Sequence, residues 1–246
     1  ARLAALYDPE TRALVARAAQ PPVALAIDLG CGPGWSTRLV HEIARATRTI
    51  GIDASERYVS EARARQPDLE FVVGDIARGI PAIGSPDLIL ARFLLTHLAD
   101  PHAALGAWAD AAAPGARLAL HETESLSSSH PALARYYELV GEVQAHHGQA
   151  LYVGALISRA IAGTGWYVIE SRALVLEKPA PAMASLHAAN LRTWRTDPFA
   201  RERFDPDELD ALDVSLTAIA NGAVAAPPVE NVARQLIAAR DRSTAR

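Results

Sequence analysis

Residues 28–34 read Asp-Leu-Gly-Cys-Gly-Pro-Gly and follow directly on the apolar run Val23-Ala24-Leu25-Ala26-Ile27. Glycine belongs where the backbone must turn through φ values that a Cβ forbids, or where main chain must come close to a ligand, and Gly30, Gly32 and Gly34 meet that need. The turn feeds a helix expected from about Ser36 to Ala46. A ligand at the turn would lie over that helix's unpaired N–H groups and its positive dipole end. The segment therefore predicts a nucleotide-type ligand. The dinucleotide fingerprint G-x-G-x-x-G has a third glycine where helix packs on strand. Counting from Gly30, that position is Trp35, and its indole argues against a pyrophosphate lying across the turn.

Further strands follow at regular distances. Thr49-Ile50-Gly51-Ile52-Asp53 reads as a second strand ending in an acid, placed where Rossmann-like folds hydrogen-bond ribose hydroxyls. The other reading of Asp53 is an N-cap for a helix from about Ser55 to Arg65. A third strand, Leu69 to Ile76, carries Gly74-Asp75 at its end. The fourth, Pro86 to Ala91, runs into Arg92-Phe93-Leu94-Leu95-Thr96-His97-Leu98, and a turn at Pro114-Gly115 opens a fifth over Ala116 to Glu122.

The run Asp28-x-Gly30-x-Gly32-x-Gly34 resembles the first motif of class I S-adenosylmethionine (SAM) dependent methyltransferases, and the resemblance extends over residues from about 23 to 125. It implies an α/β fold: a Rossmann-like, seven-stranded, mostly parallel sheet with helices on both faces. A helical cap would be built from insertions after strands five and six. It also implies SAM as cofactor and S-adenosylhomocysteine as product. Cofactor contacts are then expected at Asp28, Gly30, Cys31, Gly32, Gly34, Asp53 and Ala54, with Asp75 at the adenine amino group and Ile76 on the ring face. Tyr7 would fold over the methionine end, and Arg92 and Phe93 would stand beside it, Arg92 at the methionine carboxylate or in an ion pair. The Asn/Asp-Pro-Pro-Tyr/Phe motif of enzymes that methylate exocyclic base amines is missing after the fourth strand, so DNA amine methylation is not expected.

At 246 residues the chain can bury one full α/β core. A single domain over 1–246 is expected, with a cofactor-binding core at about 20–125 plus strands at about 165–177 and 229–239. The cap insertions are expected at about 126–163 and 180–226. Net charge is −4 without a dense basic run, which argues against nucleic-acid binding. No apolar run approaches the roughly twenty residues that cross a bilayer, so no membrane association is expected. The segment around Tyr7-Asp8-Pro9 lacks the basic flank and apolar stretch of a secretory signal, although the chain opens on Ala1, which leaves room for an upstream segment. Cys31 is the single cysteine. It excludes an internal disulfide, reads as a small residue lining the cofactor pocket, and makes a cytoplasmic location the default. Lys178 is the only lysine among many arginines, which reads as coding bias.

Beyond the fifth strand, Ser125 to Ser129 reads as a serine-rich loop. A helix is expected from Pro131 to about His147, through the stripe Leu133, Tyr136, Leu139, Val140 and Val143. Another is expected over Leu151 to Ile161, followed by a sixth strand from Gly165 towards Glu177, and lid-like helices that include Met183–Thr193 and Pro206–Ala220. The run Val229 to Ile237 fits a short helix or a last strand, and the family topology favours an antiparallel strand. Methyl transfer from a sulfonium needs alignment more than acid or base, yet a hydroxyl or acidic C–H acceptor calls for a histidine near neutral pKa. His97 and His121 are the catalytic candidates. Glu122, Tyr136, Tyr137, His147 and Trp194 are the candidates for the acceptor pocket. The His146-His147 pair also suits a helix C-terminus. No metal site is expected, since no i, i+4 histidine pair or second cysteine supports one. The chain thus reads as a methyltransferase acting on a small-molecule acceptor by O-, C- or N-methylation, as monomer or homodimer. The alternatives are a SAM-binding protein that catalyses a cyclisation, and a non-catalytic SAM-binding subunit.

Overall fold

The computed structural model describes residues 5–241. Seven strands form one sheet in the order β3-β2-β1-β4-β5-β7-β6. They are β1 (Leu25–Leu29), β2 (Arg48–Asp53), β3 (Glu70–Val73), β4 (Leu88–Arg92), β5 (Arg117–Ser127), β6 (Trp166–Lys178) and β7 (Val229–Arg240). Strands β1 to β5 are mutually parallel, and β7 runs antiparallel between β5 and β6. All five residues of β1 are buried, as expected of a central parallel strand covered on both faces.

Alternation along the strands sorts the helices. Ala26, Leu88, Leu90, Ala119 and Ile237 pack against α1 (Asp8–Ala18) and α2 (Trp35–Ala44) through Leu14, Val15, Leu39 and Val40. Ile27, Leu29, Ile89, Leu118 and Leu120 instead meet Leu105 and Trp108 of α4 (Pro101–Ala111), with Ile157 of α6 (Ile157–Ala160). Helix α3 (Glu56–Arg65) closes the β2–β3 side through Val59, Ala62 and Phe71. The cap has its own apolar core, in which α5 (Pro131–His146) meets α7 (Ala180–Trp194), α8 (Pro198–Arg203) and α9 (Pro206–Ala220). Three helix starts share one device: Asp100, Asp197 and Asp205 each accept a backbone N–H, and a proline follows at the first helical position, where its missing N–H costs nothing.

Several sequence expectations need correction. Ser125 to Ser127 belong to β5, because Ser125 pairs with Val232 and Ser127 with Glu230 of the long β7 partner. Leu151 to Ile161 is not one helix but a 3₁₀ turn, Val153–Leu156, followed by the single turn of α6. Gly154 presses there against β5, where a Cβ would lie 2.6 Å from the Thr123 carbonyl oxygen. Val229 to Arg240, by contrast, is the antiparallel last strand that the family topology favours, with Val229, Asn231, Ala233 and Gln235 buried in alternation. Among the described residues no helix is long and apolar enough to cross a membrane.

The tightest approach of helix to sheet is at Gly51, where a Cβ would lie 2.6 Å from Phe71 Cδ1 and 2.7 Å from Thr37 Oγ1. Gly51→Ala is expected to destabilise the fold by about 1–3 kcal/mol through overpacking. Urea unfolding checks this, and an unchanged midpoint would contradict the packing described.

Candidate active site

The carboxyl ends of β1, β2 and β3 form a row. Gly30, Gly32 and Gly34 take φ of 66°, 51° and 85°, values that side chains disfavour. Around Gly32 a Cβ would meet nothing within 4 Å, so the turn leaves open space where a ligand backbone or ring can approach. Asp53 lies across this space. Its Oδ2 accepts the Gly32 N–H at 2.9 Å and its Oδ1 accepts the Ser55 N–H at 2.9 Å. The residue that caps α3 is Ser55, whose hydroxyl accepts from Tyr58 N–H, and Asp53 instead ties the glycine turn to the start of that helix. Ala54 is exposed beside it.

Beneath the turn, buried Asp28 accepts from the hydroxyls of Ser36 and Thr37, both at 2.7 Å. Burial pushes its carboxyl up to about 6, against the lowering effect of those two hydroxyls. Burial also pushes the Cys31 thiol up, so Cys31 stays a protonated packing residue. At the β3 end Ile76 is buried, and Asp75 is exposed and ion-paired with Arg78 at 3.3 Å. Trp35 is 40% exposed and lies under the Arg65 guanidinium at 4.8 Å.

A second corner forms at the ends of β4 and β5. Phe93 has φ of 50°, a conformation that a bulky residue holds only when its surroundings impose it. Its N–H donates to the His121 carbonyl at 2.9 Å. Its ring lies 4.7 Å from that of Tyr7 and 4.9 Å from that of His121. Lys178 sits 4.4 Å over the Tyr7 ring and donates to the Leu6 carbonyl and to Glu10 Oε1. Arg92 donates to the Thr11 hydroxyl at 3.0 Å, so it braces α1.

His121 is fully buried, and its neighbours define its tautomer. Arg17 donates to Gln235 Oε1 at 2.7 Å, which turns the Gln235 amide NH₂ towards the Glu10 carbonyl and towards His121 Nδ1 at 3.4 Å. Nδ1 therefore accepts, and the proton sits on Nε2, which has no partner among the described residues. Burial, then the positive charges of Arg92 and Lys178, push its pKa down to about 3. His121 is thus neutral near pH 7, with its Nε2 proton free to be donated.

Glu122 faces the opposite side of the sheet. Its Oε1 accepts from Leu94 N–H and Leu95 N–H, both at 2.8 Å, and so holds the segment after β4. His97 follows on the 3₁₀ turn Leu95–His97 and is exposed. No hydrogen bond or ring contact joins it to His121 among the described residues. In the cap, Tyr136 stacks on His187 at 4.3 Å, Tyr137 OH meets His187 Nε2 at 3.1 Å, and Trp194 lies 6.3 Å from Tyr136. His147 stands apart at the cap surface, 3.0 Å from Asp197. Lys178, Thr11, Gln235 and His187 escaped the sequence reading, since only the fold brings them to these rings.

Burial raises the Glu122 carboxyl from 4.5 to about 8. Between those values the unfolded chain gives up a proton that the folded chain keeps, so this group lowers stability as pH rises through that window. In Glu122→Gln the amide oxygen can still accept from Leu94 and Leu95, but the titration is gone. The melting temperature of the variant relative to the parent is expected to climb between about pH 5 and about pH 8. A difference that stays constant across that range would contradict the assignment.

A family described as "Methyltransferase domain" matches residues 26–115. A trans-aconitate 2-methyltransferase of Methylobacterium radiotolerans is 34% identical over 183 residues, which are 74% of this chain and 64% of that protein. The Variovorax paradoxus enzyme of the same name is 38% identical over 107 residues, 44% of this chain and 41% of that one. The chain thus spans less than two thirds of these curated relatives. A phosphoethanolamine N-methyltransferase of Haemonchus contortus, solved with S-adenosylhomocysteine, shares the fold at a TM-score of 0.56 and 16% identity, covering 95% of this chain and 52% of that one. Over residues 26–115 the chain thus matches a methyltransferase domain, and its seven-stranded sheet has the Rossmann-like fold of SAM-dependent methyltransferases.

Proposed function

We propose that this protein transfers a methyl group from SAM to a carboxylate oxygen of a small acceptor, with trans-aconitate as the first compound to test. The observation that carries the reading is the buried corner of Tyr7, Phe93 and His121 beside Arg92, next to the open glycine turn. SAM bound over that turn supplies a methyl already activated by the sulfonium charge. The chain's own residues then hold and exclude. Asp53 offers carboxylate oxygens to ribose hydroxyls, and the unencumbered face of Gly32 admits the nucleoside. The aromatic rings keep water from the reacting atoms, which is where positioning gains its rate.

A carboxylate suits what remains. It is ionised near pH 7 and attacks through an oxygen lone pair, so no proton has to be removed. That fits a corner whose histidine donates from Nε2 instead of accepting, and whose half-buried arginine favours an anion. A hydroxyl acceptor would need a base there, and the unpartnered nitrogen of His121, Nε2, already carries its proton. The names of the curated relatives support the same acceptor class.

The test is transfer of labelled methyl from SAM to trans-aconitate, with the product checked for the base-lability of a methyl ester. Ester formation at a rate nearly level from about pH 6 to about pH 8 is the expected result, because no imidazole base titrates. A rate that falls away below an apparent pKa between 6 and 7 would point to a base, and label found on nucleic acid would overturn the acceptor class.

A further inference from the structure

Strand β6 is one of the two edge strands of the sheet and runs for 13 residues. Strands average about 5–6 residues, and an unpaired edge of this length is a template for another strand. On one side it pairs with β7 along its whole length, from Trp166 to Lys178. On the other side no strand covers it among the described residues. Edges are usually blunted by lysine, proline, shortness or a bulge; Trp166 to Glu177 contains neither lysine nor proline, and its one bulge lies near the start of the strand. The register shift against β7 lies between Val168 and Glu170, and Glu170 to Lys178 continues unbroken. Large apolar side chains stand in solvent along this edge: Tyr167 is 51% exposed, Val168 44%, Ile169 49% and Val175 67%.

The order of residues along the edge is self-complementary. We propose that β6 pairs edge to edge with β6 of a second copy of this chain, antiparallel about a two-fold axis through Ser171. In that register Glu170 stands opposite the copy's Arg172, and beyond the register shift the apolar Ile169, Val168 and Tyr167 lie towards the copy's Ala173, Leu174 and Val175. A closed two-fold interface brings the same patch together from both subunits, and here that joins unlike charges near the axis and apolar side chains on either side. Glu170 is held by Arg17 through one oxygen and by its own Arg172 through the other, both at 3.0 Å, and the Arg172 side chain is 53% exposed, so the pairing would gather both copies' charges into one network. A peptide of another protein could pair with the same backbone but would not have to match this charge order. The match of the edge to itself selects a second copy as the occupant.

Sedimentation equilibrium of the full chain tests this, with an expected mass of twice 26.2 kDa. Arg172→Glu crowds carboxylates around the axis while changing an exposed side chain, and should weaken the dimer by about tenfold or more. Ser171→Cys adds a thiol at the axis in a chain whose native Cys31 is buried, and mild oxidation should link two copies. A monomer at all concentrations measured, a dimer indifferent to Arg172→Glu, or Ser171→Cys chains that do not cross-link would each overturn the proposal.

Discussion

The buried Asp28 carboxylate holds the cofactor half of this protein together. It sits in the central strand, directly before the glycine turn, and accepts the hydroxyls of Ser36 and Thr37 at 2.7 Å each. Hydrogen bonds to an ionised group are worth about 1.5–3 kcal/mol, and burial takes back part of that gain, as the rise of its pKa to about 6 records. The geometric result matters more than the net energy. The first turn of α2 is bound to the end of β1, so residues 30–34 must reverse direction in a tight space, with positive φ at Gly30, Gly32 and Gly34. Asp53 then fastens the same loop from the neighbouring strand through Gly32 N–H. Two acids on adjacent strands thereby shape one open pocket mouth.

The other end of the site is organised by α1. Lys178, Glu10, Arg92 and Thr11 tie this helix to β6 and β4, and Tyr7 is pressed against Phe93 and His121 as a consequence. Gln235 and Arg17 fix the His121 tautomer from the antiparallel strand β7. The corner is therefore aromatic and neutral at its imidazole, with a half-buried guanidinium nearby. That is an environment for receiving an anion and keeping water away, and a poor one for taking a proton. Glu122 works behind it by holding the segment that carries Phe93 into its unusual backbone conformation.

What could be read from the residues alone follows from how local each signal is. The strand-turn-helix at Asp28–Gly34 and the strand ending in Asp53 are written in consecutive residues, whereas the seven-stranded, mostly parallel sheet follows from the family resemblance those motifs carry. Helices α1 and α4 passed unnoticed, although Asp100-Pro101 is a clear helix start. The length of β5 was misjudged because serine looks like loop, whereas pairing with β7 decides the matter. Residue roles set by distant partners were the hardest. His121 depends on Gln235, more than a hundred residues away, and the lone Lys178 looked like a compositional accident although it clamps the first helix. Tyr136 and Tyr137 were placed in the acceptor pocket from their cap location, and it took the fold to reveal His187 between them.

The central claim is that the glycine turn and Asp53 together form a nucleoside site. Calorimetric titration of S-adenosylhomocysteine into the protein and into Asp53→Ala, with circular dichroism confirming that the variant is folded, tests it most directly. The account predicts one bound molecule per chain and an affinity about tenfold or more weaker in the variant, the worth of a charge-assisted hydrogen bond. Equal affinity in the two proteins, or tight binding of NAD with none of the homocysteine product, would contradict it.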